Sequence, residues 1–147
     1  MTDFKDKINA ALSGDAGLPG HVYKLDIGLD SIYVKTCWML GKIVNIDITL
    51  SRGSKSGITG VLGVADLEMK LYDLARCSIE DSCKLASFIL TKDTDIWELI
   101  SMWKGVNGYP HGVCPQLGAI VPGPLHAAAV LIENNLDMWK EQFAFEN

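Results

Sequence analysis

Residues 21–51 constrain the fold more than any other stretch. His21–Ile27 alternates, with Tyr23, Leu25 and Ile27 on one side. Ser31–Leu40 follows, rich in Ile, Tyr, Val, Thr and Trp. Lys42–Ser51 alternates again, with Val44, Ile46, Ile48 and Leu50 on one side and Asn45, Asp47 and Thr49 on the other. Side chains of a strand point alternately to opposite faces, so this period of two marks half-buried strands. The breaks at Gly28-Leu29-Asp30 and Leu40-Gly41-Lys42 are short enough for hairpins. The pattern predicts an antiparallel meander of three strands with one dry face and one wet face.

Helices must cover the dry face, and the period turns helical after residue 60. Val64, Leu67, Leu71 and Leu74 predict a helix ending near Arg76. Ser78 with Asp81 three residues on reads as a variant capping box. It opens a second helix to about Leu90 that buries Ile79, Cys83, Ala86 and Leu90. Asp93 or Thr94 caps a third, with Ile96, Leu99, Ile100 and Trp103 as its stripe. Gly123-Pro124 opens the last, with proline at the first helical position. Its stripe is Leu125, Ala128, Ala129, Ile132, Leu136, Trp139 and Phe143. Residues 3–13 form a further amphipathic candidate with Phe4, Ile8, Ala11 and Leu12 on one side, followed by a Gly/Pro linker at 14–20. The predicted fold class is α+β: a small antiparallel β-meander covered on one face by helices, with an N-terminal helical arm. The arm and linker are residues 1–20, and a single domain spans 21–147.

A chain of 147 residues is enough for one core without disulfides or metal. Its net charge of −5 opposes a nucleic-acid polymer as partner, because phosphate backbones need a broad basic surface. No stretch approaches the roughly 20 apolar residues of a membrane span, so no membrane partner is expected. The polar start MTDFKDKINAALSGDAG does not read as a signal peptide, and a cytoplasmic location is the expectation. In that compartment Cys37, Cys77, Cys83 and Cys114 are expected as free thiols.

Two glycine-rich segments are the candidate sites. In RGSKSGITG, residues 52–60, three glycines, two serines and a threonine surround Arg52 and Lys55. Successive backbone N–H groups in such a turn can form a nest for an anion, helped by the positive end of the next helix. Arg52, Gly53, Ser54, Lys55, Ser56 and Thr59 are the ligand-binding candidates there; the plain alternative is a solubilising strand-to-helix connection. Neither a Walker A nor a Rossmann fingerprint is present. The second segment, 104–123, holds five glycines and three prolines. It collects Lys104, Asn107, Tyr109 and His111: Tyr109 and His111 to stack on a base or sugar, Lys104 to meet a phosphate. The plain alternative is a rigid loop packed on the sheet with Tyr109 as a plug.

Other chemistries find less support. The cysteine spacings, including Cys77-x5-Cys83, do not match a zinc site, and no metal is expected. Cys114 with His111 offers a Cys–His pair at a spacing of three, His126 sits among alanines, and Glu80 and Asp81 read as first-turn helix charges. No catalytic residue and no cofactor are assigned. Trp97 and Trp103 fall on different faces of one helix, so one of them is expected at a subunit contact or packed under a loop, and a homo-oligomer is expected.

The order of these features resembles the TSCPD domain, a module at the C-terminal end of adenosylcobalamin-dependent ribonucleotide reductases that also occurs alone, including in phages. The strands SIYVKTCWM and KIVNIDITLSRG, the loop SRGSKSG, the helical stretches LEMKLYDLARC and IEDSCKLASFIL and the ending WELISMWKG follow the family's sequence of parts. Tyr33-Val34, Ile46-Asp47-Ile48, Gly53-Ser54-Lys55 and the run Ile100 to Gly105 match its motifs in order, and Cys114-Pro115 stands where the family has Cys-Pro. The likeness covers about residues 21–135. Gly112-Val113-Cys114-Pro115-Gln116 replaces the Thr-Ser-Cys-Pro-Asp string, so the acidic residue is lost. The reductase barrel is absent. The two loops point to a non-enzymatic protein in which the nest at 52–60 holds the phosphate and the 104–116 loop covers the base or sugar of a small phosphorylated, nucleotide-like ligand; the resemblance adds an accessory module of a ribonucleotide reductase as the alternative, and a small enzyme using Cys114 and His111 is the third reading. By analogy with standalone phage domains, the first would sequester a cyclic nucleotide or ADP-ribose-type immune signal.

Overall fold

The computed structural model describes residues 20–39, 41–51, 62–92 and 94–143. The arm at 3–13, its linker through residue 19 and the segment 52–60 lie outside the described residues. So do the side chains of Val64, Leu67, Leu71 and Phe143.

The fold is α+β. Strands β1 (Gly20–Ile27), β2 (Asp30–Met39) and β3 (Lys42–Ser51) form one antiparallel sheet in that order. The register pairs Tyr23 with Val34, Val34 with Ile48 and Ser31 with Ser51. As the alternation predicts, Leu25, Ile27, Ile32, Val34, Ile46, Ile48 and Leu50 are buried on one face, while Lys24, Tyr33, Lys35, Asp47 and Thr49 open to solvent on the other. The register shifts between Cys37 and Trp38, and the bulge lets Trp38 and Met39 both bury. Gly28 turns the first hairpin at φ 62°, a left-handed conformation that glycine adopts without steric cost.

The helical half differs from expectation at three places. Instead of two helices meeting at Ser78, one helix α1 runs unbroken over Leu62–Leu90. Nothing between Arg76 and Ser78 breaks a helix, and Arg76 bridges the expected gap by facing Asp73 at 3.9 Å and Glu80 at 3.6 Å. Ile79, Cys83, Ala86 and Leu90 are buried as predicted, but Leu74 is 69% exposed. The next helix, α2 (Ile96–Lys104), is capped by Asp95 rather than Asp93 or Thr94; the Asp95 carboxylate accepts the Trp97 N–H at 3.0 Å. The segment 104–123 is not one loop. It contains a hairpin of β4 (Gly112–Cys114) and β5 (Ala119–Val121). The final helix α3 (Pro124–Phe143) starts at Pro124 as predicted.

Helix α1 lies along the free edge of β3 and runs antiparallel to it. Ten residues into the helix, Tyr72 donates its hydroxyl to the Leu50 carbonyl at 2.9 Å. Four turns on, Ser87 Oγ accepts the Ile46 N–H at 3.3 Å and donates to Asn45 Oδ1. These bonds satisfy edge groups that would otherwise be open to pairing with another strand. Helix α3 covers β1 and β2 on the dry face, and α2 packs on α3. Trp139 of α3 stacks on Tyr23 at 5.0 Å and meets Trp38 edge-on at 6.4 Å. Thr36, fully buried, accepts the Trp38 indole N–H at 3.1 Å, so this polar group carries no desolvation penalty. Among the described residues, no helix is long and apolar enough to cross a membrane.

Candidate functional site

The segment 104–123 is stitched to the β1–β2 turn. Tyr109 donates its hydroxyl to buried Asp30 at 2.9 Å. Gly28 N–H bonds the Val113 carbonyl at 3.0 Å. The Gln116 side chain pairs with Asp26 twice, accepting its backbone N–H at 2.9 Å and donating to its carboxylate at 2.7 Å. That amide and the Ser31 hydroxyl, which donates at 2.8 Å, hold the Asp26 carboxyl below its usual range. An Asp at 116 would set two carboxylates against each other, which gives a physical reason for glutamine there. At the other end, Gly123 approaches the backbone of Asn107 and Gly108 so closely that a Cβ would lie 2.7 Å from the Gly108 nitrogen.

These bonds separate the four candidates on this segment. Lys104 Nζ donates to both Glu133 oxygens, at 3.1 and 3.2 Å, and lines a recess with Trp97, Ile100 and Ser101. The Lys104 carbonyl accepts the Nδ1–H of His126, which places that proton on Nδ1. Asn107 and Tyr109 line a different, small recess of about 60 Å³ with Ala75, Ile79 and Leu125. His111 is exposed and lines neither. Tyr109 has its hydroxyl on Asp30 and remains 38% exposed. Cys114 is fully buried with its thiol 3.7 Å from the Gln116 amide oxygen. No group of three or more His, Cys, Asp or Glu side chains among the described residues could hold a metal.

A larger recess of about 380 Å³ lies on the open face of the sheet. Tyr33 and Lys35 of β2, Val22 of β1 and Asp47 and Thr49 of β3 supply its strand walls. Register makes Tyr33 face Lys24 across β1 and Thr49 across β3, and sets Lys35 between Val22 and Asp47. Arg76 and Glu80 of α1 close the side at the β3 edge. Tyr33 is 37% exposed on this face. Charges in the recess balance, with Lys35 and Arg76 against Asp47 and Glu80. The Arg76 pairs are long and half-exposed, worth little in water, so its guanidinium can be redirected to an anion at small cost.

The open face leads directly to the other candidate segment. Thr49 and Ser51 are successive outward positions of β3, and Arg52 follows. Ser51 pairs with Ser31, next to the Asp30 that holds Tyr109. Because α1 runs antiparallel to β3, its first ten residues, about 15 Å of helix, precede Tyr72 and lie beyond the strand end. Residues 52–61, between the end of β3 and the start of α1, lie outside the described residues. Sequence reasoning placed Asp47 and Thr49 outward but missed Tyr33, Lys35 and Arg76 as site residues. The outward register of β2 was a usable signal for the first two.

Cys37, Cys83 and Cys114 are free and buried. Burial pushes Cys83 up to about 12 and also raises Cys37, so both stay protonated at neutral pH. Cys77 on α1 is exposed. Comparison of the chain with protein-family models, with curated proteins and with solved structures gave no match.

Proposed function

We propose that this chain is a non-enzymatic binding domain for a small phosphorylated, nucleotide-like ligand. The base stacks on Tyr33 and the phosphates meet Arg76 and the Arg52-to-Thr59 segment. The observation that supports this reading is the partly exposed Tyr33 in an open-face recess that brings Lys35 and Arg76 beside it, with Asp47 and Glu80 balancing their charge. An aromatic ring on an open sheet face is a stacking platform for any base. The volume lies near the lower end of the roughly 300–1,000 Å³ typical of small-ligand sites. Asp47 and Glu80 offer acceptors for the amino edge of a base. This reading leaves out Lys104, which holds Glu133, Asn107 and Tyr109, which line a separate recess, and His111, which is exposed and does not line the Tyr33 recess.

Self-association belongs to the same reading. Leu74, Leu85 and Phe88 are exposed on one side of α1, with Ser78 and Asp81 between Leu74 and Leu85, a mixed face on which a second copy could pack.

Thermal shift with a panel of mononucleotides, cyclic dinucleotides and ADP-ribose tests the function. A ligand that binds only the folded state at about 100 times its Kd stabilises by about 2.7 kcal/mol. We expect a shift with at least one compound, reduced in Arg52→Ala, Lys55→Ala and Arg76→Ala. The absence of any shift across the panel, or full shifts in all three variants, overturns the reading. The cyclic-dinucleotide and ADP-ribose arms test the signal-sequestering version.

A further inference from the structure

A cavity of about 230 Å³ at the β2–β3 turn has apolar walls, among them Trp38, Leu90 and Leu136, that belong to the core. The groove between α2 and α3, of the same volume, presents open side chains instead. Trp97, Ser101 and Lys104 share one face of α2 at i, i+4 and i+7, and Glu133 of α3 faces them. Trp97 is 44% exposed while Trp38, Trp103 and Trp139 are buried, so it alone of the four tryptophans opens to solvent. Both ends of the groove are fixed. Asp95 caps the helical turn that carries Trp97. Lys104 holds both Glu133 oxygens, at 3.1 and 3.2 Å, and its own carbonyl accepts His126. Ile100 is buried at the floor.

This combination selects a class of ligand. A molecule seated against the Lys104–Glu133 pair meets both signs at once, so a net charge of either sign is opposed by one partner. Covering the pair without hydrogen bonds costs desolvation energy, so the ligand must carry polar groups along that edge. Lys104 Nζ spends two of its three hydrogens on Glu133 and keeps one to donate. The Glu133 oxygens keep lone pairs, and the exposed Ser101 hydroxyl can donate or accept. Against Trp97 the ligand must be flat and apolar. A pyranose unites these properties, with axial C–H groups as its face and equatorial hydroxyls as its edge. From Trp97 to Lys104 the helix rises about 10.5 Å, enough for one ring with its hydroxyls. We infer that the α2–α3 groove is a binding site for an uncharged pyranoside. One ring stacks on Trp97, and its hydroxyls reach Ser101, Lys104 and Glu133. The groove shares no lining residue with the Tyr33 recess, so the site stands apart from the nucleotide reading.

The test is titration of the chain with methyl β-D-glucopyranoside and methyl β-D-galactopyranoside, followed by the four indole N–H signals in proton–nitrogen correlation NMR. The Trp97 signal is identified by its loss in Trp97→Phe. It should move with at least one glycoside, with a Kd of about 1–10 mM, while the other three stay in place. Sorbitol, which has the hydroxyls but no apolar face, should move nothing. By saturation-transfer difference on the sugar, Trp97→Ala should weaken binding about tenfold or more, the scale for truncating an aromatic anchor. Lys104→Met/Glu133→Met keeps the platform and removes the polar edge, and should weaken binding about fivefold or more, the worth of a net hydrogen bond. Tyr33→Ala should change nothing. A Trp97 signal unmoved by both glycosides, an equal response to sorbitol, or full affinity in either groove variant overturns the proposal. A Trp97 signal that moves with protein concentration alone assigns this face to self-association and overturns it as well. The titration of the unaltered chain stands even if a variant fails to fold.

Discussion

The recess on the open sheet face and the cavity at the β2–β3 turn are made by the same strands in opposite ways. The strand walls of the recess, Tyr33, Lys35, Asp47 and Thr49, are outward residues of alternating strands. Their chemistry follows from a local period of two, and the core does not depend on them. The cavity draws Trp38, Leu90, Ile96 and Leu136 from four elements spread over most of the chain. Its shape is a product of how helices settle on the sheet. Substitutions in the recess should therefore change binding and spare stability; those in the cavity walls should cost stability first.

The largest effect should come from Trp38→Ala. Removing a fully buried indole that braces Trp139 should cost about 3–5 kcal/mol and lower Tm by about 10 °C or more in calorimetry. A loss under about 1 kcal/mol would break the contrast between the two regions. Gly123→Ala should come next, at about 1–3 kcal/mol in urea unfolding, because its Cβ would collide with backbone at Gly108 rather than with a movable side chain. That substitution asks whether the stitched loop is part of the rigid body on which the recess rests.

Alkaline stability tests the edge between α1 and β3. Folding raises the Cys83 thiol to about 12, above its unfolded value near 8.5. Below 8.5 both states hold the proton and the contribution is complete. As pH rises above it, the unfolded chain releases the proton, and about 1–2 kcal/mol should be lost by pH 10. Cys83→Ala should flatten that slope; an unchanged slope would assign it to another group. Asp26 should act at the acid side and more weakly, since it is largely exposed. Its lowered carboxyl stabilises the fold above about pH 4, and that contribution disappears as pH falls through the lowered value. Gln116→Ala should shrink the difference in stability between pH 5 and pH 2, read by acid titration of the circular dichroism signal.

The strands were legible because each has a wet side: Asn45, Asp47 and Thr49 interrupt the apolar series of β3 at every second position. The break expected at Ser78 was false because a capping pattern is also compatible with helix interior when no glycine or proline intervenes. Leu74 misled for a related reason. Its spacing fits a buried stripe, but α1 meets the edge of β3 rather than its centre, which turns that residue outward. The β4–β5 hairpin escaped because three-residue strands are shorter than any alternation can reveal. For the site, residue type pointed to the glycine-rich segments, whereas concavity depended on Arg76 and Glu80 reaching around β3 from a distant helix. Lys104 and Tyr109 looked free in sequence; their partners Glu133 and Asp30 are too far along the chain to be inferred.

The open-face site depends most directly on Tyr33. Isothermal titration of the unaltered chain and of Tyr33→Ala with the nucleotide that gives the largest thermal shift isolates its role. Tyr33→Ala should leave unliganded stability within about 0.5 kcal/mol, as for an exposed strand position. Its Kd should rise about 5- to 100-fold, the range for losing one base–aromatic stack. An unchanged Kd in a folded Tyr33→Ala protein would contradict the open-face site.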